Sequence, residues 1–274
     1  MTTYSTALVP GGALTIFADG AGSPIVLLHA GVADSSSWDD AIPPLTAAGY
    51  RVIRYDARDY GYSFTEALEY SPREDLWAVL DAAGVQKAVL VGNSRGGSTA
   101  IDAALEQPDR VAALVLVGSG LNGFDGEGTA EEEAAFRESE TAFREARYLD
   151  VVEQKVRIWV DGIGQPADRV SPAVREHARA MLLSTASREG PIAKLRPLEP
   201  PASERLAQLT QPTLIVIGEY DTSIIHEIAT LMAAQLPASR VVRMPNAAHM
   251  VGMEHPDTLA SLIIEHVRAL GAWV

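Results

Sequence analysis

The chain has 274 residues, 47% of them hydrophobic, with 22 glycines, no cysteine and a formal net charge of −14. The apolar fraction is ample for one large core, and the acid excess without a clustered Lys/Arg face argues against binding to a phosphate backbone. Without cysteine there is no disulfide framework, no thiolate nucleophile and no Cys-ligated metal. With neither a signal-peptide pattern after Met1 nor a run of roughly 18 apolar residues, the expectation is a soluble cytoplasmic protein with no membrane partner, a monomer or homodimer.

Short apolar runs alternate with amphipathic stretches along the chain. Strands are predicted at residues 14–17, 25–28, 51–55, 88–91, 111–117, 214–217 and 240–243, and helices at 72–83, 98–107, 224–236 and 256–270. The later apolar runs are continuous rather than alternating, as in strands covered on both faces. Strand and helix in alternation imply an α/β fold, a mostly parallel central sheet flanked by helices. The alternation stops between residues 121 and 201, where 131–136, 151–159 and 174–183 are helix-like. This predicts a helical cap, 121–201, inserted into a core made of 1–120 and 202–274. Gly118-Ser119-Gly120-Leu121-Asn122-Gly123 forms the exit, and Arg196-Pro197-Leu198-Glu199-Pro200-Pro201 a semi-rigid return.

The stretch richest in chemistry is Gly92-Asn93-Ser94-Arg95-Gly96, which follows a predicted strand and precedes a predicted helix. A nucleophile elbow needs that setting: the serine sits on a sharp, strained turn, and residues two before and two after must nearly vanish so that strand and helix can approach. A serine hydroxyl is a poor nucleophile near neutral pH, so the reading also requires a base, an acid to orient it and oxyanion donors. Among six histidines, His249 alone falls in a loop between the last strand and the last long helix, beyond the carboxyl end of a strand where ligands bind in parallel sheets. His177, His226, His255 and His266 fall in or at the start of helices and are more simply structural.

The acid belongs on a loop between serine and histidine. Asp221 follows the strand 214–217 and fits, although a turn aspartate capping the helix from Ile224 reads the same way; Glu219 and Asp125 are rivals. Oxyanion donors are best supplied by backbone N–H groups, which need no reorganisation as charge develops. One comes from Arg95, after the nucleophile. The other is expected from Gly31, where the strand 25–28 ends in His29-Ala30-Gly31.

With these residues placed, the chain resembles the α/β-hydrolase fold superfamily, and in it the cap-bearing serine esterase and lactonase-like group. The resemblance rests on His29-Ala30-Gly31 with Trp38 further on, on the turn Asp56-Ala57-Arg58-Asp59-Tyr60-Gly61-Tyr62-Ser63, on Gly218-x-x-Asp221, and on His249 followed by Glu254-His255-Pro256. It covers roughly residues 15–120 and 202–270 and says little about the cap. Ala30 and Asp59 stand where that group has glycine, Asn93 where it often has histidine, and Arg95 where methionine or glutamine is common. The Arg95 guanidinium either stands beside the site, where it would favour an anionic substrate, or points into solvent or pairs with a carboxylate.

The expected chemistry is two-step acyl transfer by Ser94, His249 and Asp221 on a small carboxylic ester or lactone, without metal or organic cofactor. Candidate pocket walls are Phe124, Phe136, Phe143, Trp159 and Met250. A hydroxynitrile lyase or cofactor-free perhydrolase on the same triad, or a small-molecule receptor with a weakly active triad, are the alternative readings.

Overall fold

A computed structural model describes residues 2–186 and 193–273. Among them, nine strands form one sheet: β1 (Thr3–Val9), β2 (Gly12–Asp19), β3 (Pro24–Leu28), β4 (Arg51–Tyr55), β5 (Phe64–Thr65), β6 (Ala88–Asn93), β7 (Val111–Val117), β8 (Thr213–Gly218) and β9 (Ser239–Met244). Their order is β1-β2-β4-β3-β6-β7-β8-β9, with the short β5 on β2. Pairing is antiparallel around β2 and parallel from β4 to β9. The helices are α1 (Ile42–Ala47), α2 (Pro72–Ala82), α3 (Arg95–Glu106), α4 (Ala130–Arg144), α5 (Tyr148–Val156), α6 (Pro172–Ala186), α7 (Ser223–Gln235), α8 (Val251–Glu254) and α9 (Pro256–Arg268).

The central strands are buried along their whole length because both sheet faces are covered. Their two-residue period sends alternate side chains to opposite sides. Val26 and Leu28 join Leu76, Ile101 and Met232 from α2, α3 and α7. Ile25 and Leu27 join Leu45, Leu259 and Ile263 from α1 and α9. The mostly parallel sheet read from the sequence is therefore present, with two additions, β1 and the two-residue β5. β1 went unread because four of its first residues, Thr3 to Thr6, are exposed; pairing with β2, rather than burial, orders this edge strand.

Between β7 and β8 the described elements are α4, α5, α6 and short turns. They rest on the carboxyl edge of the sheet through one apolar cluster. Val152, Val156, Val160, Met181 and Leu182 from above meet Ala30, Ala33, Met250 and Met253 from the loops below. The turns after β3, β6, β8 and β9 carry Gly31, Ser94, Asp221 and His249 at the same edge of the sheet.

Backbone meets backbone closely at the β6–α3 corner. A Cβ on Gly92 would stand inside the Gly96 carbonyl, and one on Gly96 inside the carbonyl oxygen of Leu28. Backbone cannot swing aside as a flexible side chain does, so Gly96→Ala should lower stability in urea by about 3 kcal/mol. Gly31→Ala is the control. Its Cβ would meet nothing closer than 3.8 Å, and its φ is not positive, so it should stay within about 0.5 kcal/mol of the parent.

Candidate active site

Ser94 sits at the joint of β6 and α3 with φ 54° and ψ −115°, a conformation that costs a non-glycine residue on the order of 1–3 kcal/mol. The neighbouring chain holds it there. Its N–H donates to Val117 O at 3.0 Å, and its carbonyl accepts from Ser98 N at 3.1 Å and Gly120 N at 3.2 Å. Asn93 adds a side-chain tie that the sequence did not disclose. Its Nδ2 donates to Val117 O at 2.9 Å and to His249 O at 3.3 Å, joining the elbow to the histidine loop.

His249 and Asp221 meet. The His249 Nδ1–H lies 2.9 Å from both Asp221 carboxylate oxygens, and both side chains are almost completely buried. This leaves Nε2 as the basic nitrogen. Both groups stand against Gly118, where a Cβ would come within 3.0 Å of His249 Nδ1 and 2.9 Å of Asp221 Oδ2. Gly118 directly follows Val117, the partner of Ser94 N, so the three side chains share one corner of the sheet edge. Among the described residues Ser94 Oγ makes no hydrogen bond; such bonds are often loose without substrate and tighten when it binds.

Two expectations about the acid are resolved by where the hydrogen bonds go. The α7 N-terminus is capped by Glu132 of α4, which accepts from Ser223 N at 2.6 Å and from the Ser223 hydroxyl. Asp221 does not cap that helix; Oδ1 accepts only the adjacent Thr222 N–H at 2.8 Å besides His249. Burial pushes the Glu132 carboxyl up, but hydrogen bonds from Ser223 and Thr129 bring it below the usual carboxylate range. Of the rivals, Glu219 is spent on Asn246 N at 2.8 Å, and Asp125 is exposed.

Gly31 lies against the elbow: its Cβ, if present, would be 3.9 Å from Arg95 Cδ. The Arg95 guanidinium lies over the Tyr60 ring at 4.4 Å and forms no ion pair among the described residues. His29 below it is pulled down to about 3, by burial and then by the Arg95 charge, so the imidazole is neutral.

From the segment between β7 and β8, Trp159 meets the His249 ring at a tilt, 4.6 Å between centroids, and Phe136 meets Trp159 at 5.7 Å. Met250 belongs to the apolar cluster between that segment and the loops at the sheet's carboxyl edge. The other two expected wall residues are not brought here. Phe143 is 58% exposed and meets Tyr148, because it ends α4 at the turn into α5. Phe124 packs against the core on the α7 side of the sheet. Among the described residues no three His, Cys, Asp or Glu side chains are grouped to hold a metal, and no helix is long and apolar enough to cross a membrane.

Arg169 clamps this roof to the histidine loop, and nothing in the local sequence pointed to it. Residues 157–162 form a short π-helix, and the last carbonyls of a helix have no donor within it. Arg169 donates to two of them, Val160 O and Asp161 O, at 2.7 Å each, and to Asn246 O at 2.8 Å. It also pairs with Glu254 at 2.6 Å, both side chains being buried, while Glu254 accepts Ala248 N at 2.8 Å. Trp159 on the π-helix and His249 on the loop are thus tied to one cation.

A model of the alpha/beta hydrolase family matches residues 25–262. Rhodomycin D methylesterase DauP of Streptomyces sp. (strain C5) is 30% identical over 96% of this chain and 98% of its own. A 2-hydroxy-6-oxononadienedioate/2-hydroxy-6-oxononatrienedioate hydrolase of Comamonas testosteroni is 26% identical over 90% of this chain and 88% of its own. Among solved structures, a malate-bound thermophilic esterase from Thermogutta terrifontis superposes with TM-score 0.77 at 26% identity, covering 99% of this chain and all of that one.

Removing Arg169 leaves the Glu254 carboxylate buried without its cation. Burial already raises the Glu254 pKa above its unfolded value and Arg169 pulls it back, so Arg169→Met raises it further. A raised pKa stabilises below the unfolded value and loses that stability as pH rises. The deficit of Arg169→Met in urea should therefore grow from pH 5 to pH 8, reaching about 3–5 kcal/mol.

Proposed function

The chain belongs to the alpha/beta hydrolase family, and on that premise we propose that it is a serine hydrolase cleaving a small carboxylic ester or lactone through an acyl-enzyme. The observation that carries this reading is the buried Asp221–His249 hydrogen bond beside the strained Ser94 elbow. Relatives named as a methylesterase and an esterase agree with ester chemistry at this corner.

His249 Nε2 takes the Ser94 proton as Oγ attacks the carbonyl carbon. Asp221 holds the imidazole in the tautomer that leaves Nε2 basic, and stabilises the imidazolium once formed. The carbonyl oxygen becomes an oxyanion between Gly31 N–H and Arg95 N–H, donors already in place before charge develops. Collapse of the tetrahedral adduct expels the alcohol, which receives the proton from His249. Water, deprotonated by the same nitrogen, then opens the acyl-enzyme by the reverse sequence. Trp159 and Phe136 cover the histidine with apolar surface, excluding bulk water and strengthening each of these interactions.

Turnover of graded p-nitrophenyl esters and simple lactones tests the proposal. Wild type should hydrolyse members of the panel. Ser94→Ala should abolish the activity, and Asp221→Asn should lower kcat by about 10⁴, since the amide favours the wrong tautomer. Activity that survives in Ser94→Ala contradicts the reading, and near-normal kcat in Asp221→Asn removes the acid role.

A further inference from the structure

Gly31 is placed by contacts that reach it through the two carbonyls flanking it. On one side, His29 Nε2 accepts Ala57 N–H at 3.1 Å, so Nδ1 carries the proton and donates to Ala30 O at 2.8 Å. Ala33 N–H adds a second bond to the same carbonyl at 3.3 Å. On the other side, the Tyr60 hydroxyl donates to Gly31 O at 2.9 Å. Neither φ nor crowding confines the glycine itself, since a Cβ there would find its nearest neighbour, Tyr60 Oη, at 3.8 Å. The direction of its N–H therefore depends on these ties.

Tyr60 is itself wedged in place. The Arg95 guanidinium covers its face at 4.4 Å, and the His29 ring meets it in a T-shaped contact at 4.9 Å. Arg95 has no carboxylate partner among the described residues, and its buried Nε has no hydrogen-bond partner there. Its side chain is thus committed to the aromatic face, and its methylenes run past Gly31.

We propose that Arg95 and Tyr60 form a strut that aims the Gly31 N–H at the oxyanion, so that Arg95 supplies one donor from its backbone and positions the other through its side chain. The strut rests on the serine-hydrolase reading above. In it the side chains of Tyr60 and Arg95 are positioning residues that never touch substrate. Arg95 also helps to keep His29 neutral, and His29 must be neutral to accept from Ala57 while donating to Ala30.

The test compares Tyr60→Phe, Arg95→Met and Arg95→Lys with wild type on one p-nitrophenyl ester, on binding of a trifluoromethyl ketone, and on amide exchange over residues 29–33. The ketone adduct places an oxyanion between the two donors, so it reports their aim. Tyr60→Phe should lower kcat by about 10- to 100-fold, less than the 10²–10³ of a lost donor, with KM within about twofold. Ketone affinity should fall by a similar factor, and exchange at residues 29–33 should quicken. Arg95→Met should shift all three the same way, and Arg95→Lys should recover part of the loss because a cation still covers the ring. If Tyr60→Phe does not fold, Arg95→Met carries the same test. Wild-type kcat in both variants, or a fall in kcat with unchanged ketone affinity and unchanged exchange, overturns the strut. Hydrolysis that persists in Ser94→Ala overturns the underlying reading instead, and that variant scores it separately.

Discussion

The site depends on one strained residue held at one corner. Ser94 keeps a positive φ because β6, α3 and the loop after β7 close around it, and they close because Gly92, Gly96 and Gly97 have no side chains to hold them apart. The carbonyl of Val117 takes the Ser94 N–H and one amide proton of Asn93, and Asn93 reaches on to the backbone of His249. Strain stored in the turn is thus opposed by hydrogen bonds to the neighbouring strand and the base loop. The same corner brings Gly118, next to the Val117 carbonyl that holds Ser94, against both His249 and Asp221.

The helical segment between β7 and β8 is fastened to this corner by ions and amides as well as by apolar packing. Glu132 caps α7 beside Asp221, and Arg169 ties the π-helix that bears Trp159 to the loop that bears His249. Each fastening ends on a segment carrying a member of the site. A shift of that segment by a fraction of an ångström would reach the loops of both Asp221 and His249, since these contacts are short and buried rather than deformable. The Arg95 side chain lies over the Tyr60 ring at 4.4 Å and pairs with no carboxylate among the described residues.

The features legible in the sequence were those that backbone geometry imposes locally. Glycines two before and two after Ser94, continuous apolar runs for covered strands, and the chain order of Ser94, Asp221 and His249 all leave short-range patterns. The features that were not legible are contacts between distant positions. Nothing near Arg169 announces Glu254, and nothing near Glu132 announces Ser223. Phe143 and Phe124 show a related limit: an aromatic residue in a helix does not disclose which face turns inward, and Phe124, in the irregular chain before α4, does not disclose which side of the sheet it packs on. β1 was missed for the opposite reason: an exposed edge strand is ordered by its ladder, and its composition carries no core pattern.

The central claim is that this fold makes one serine reactive. It is tested most directly by treating the protein with a fluorophosphonate, native and in urea, and locating the modified residue by peptide mass spectrometry. The account predicts modification of Ser94 in the native protein and its loss on unfolding. Native protein that stays unmodified, or is modified at another serine, would contradict it.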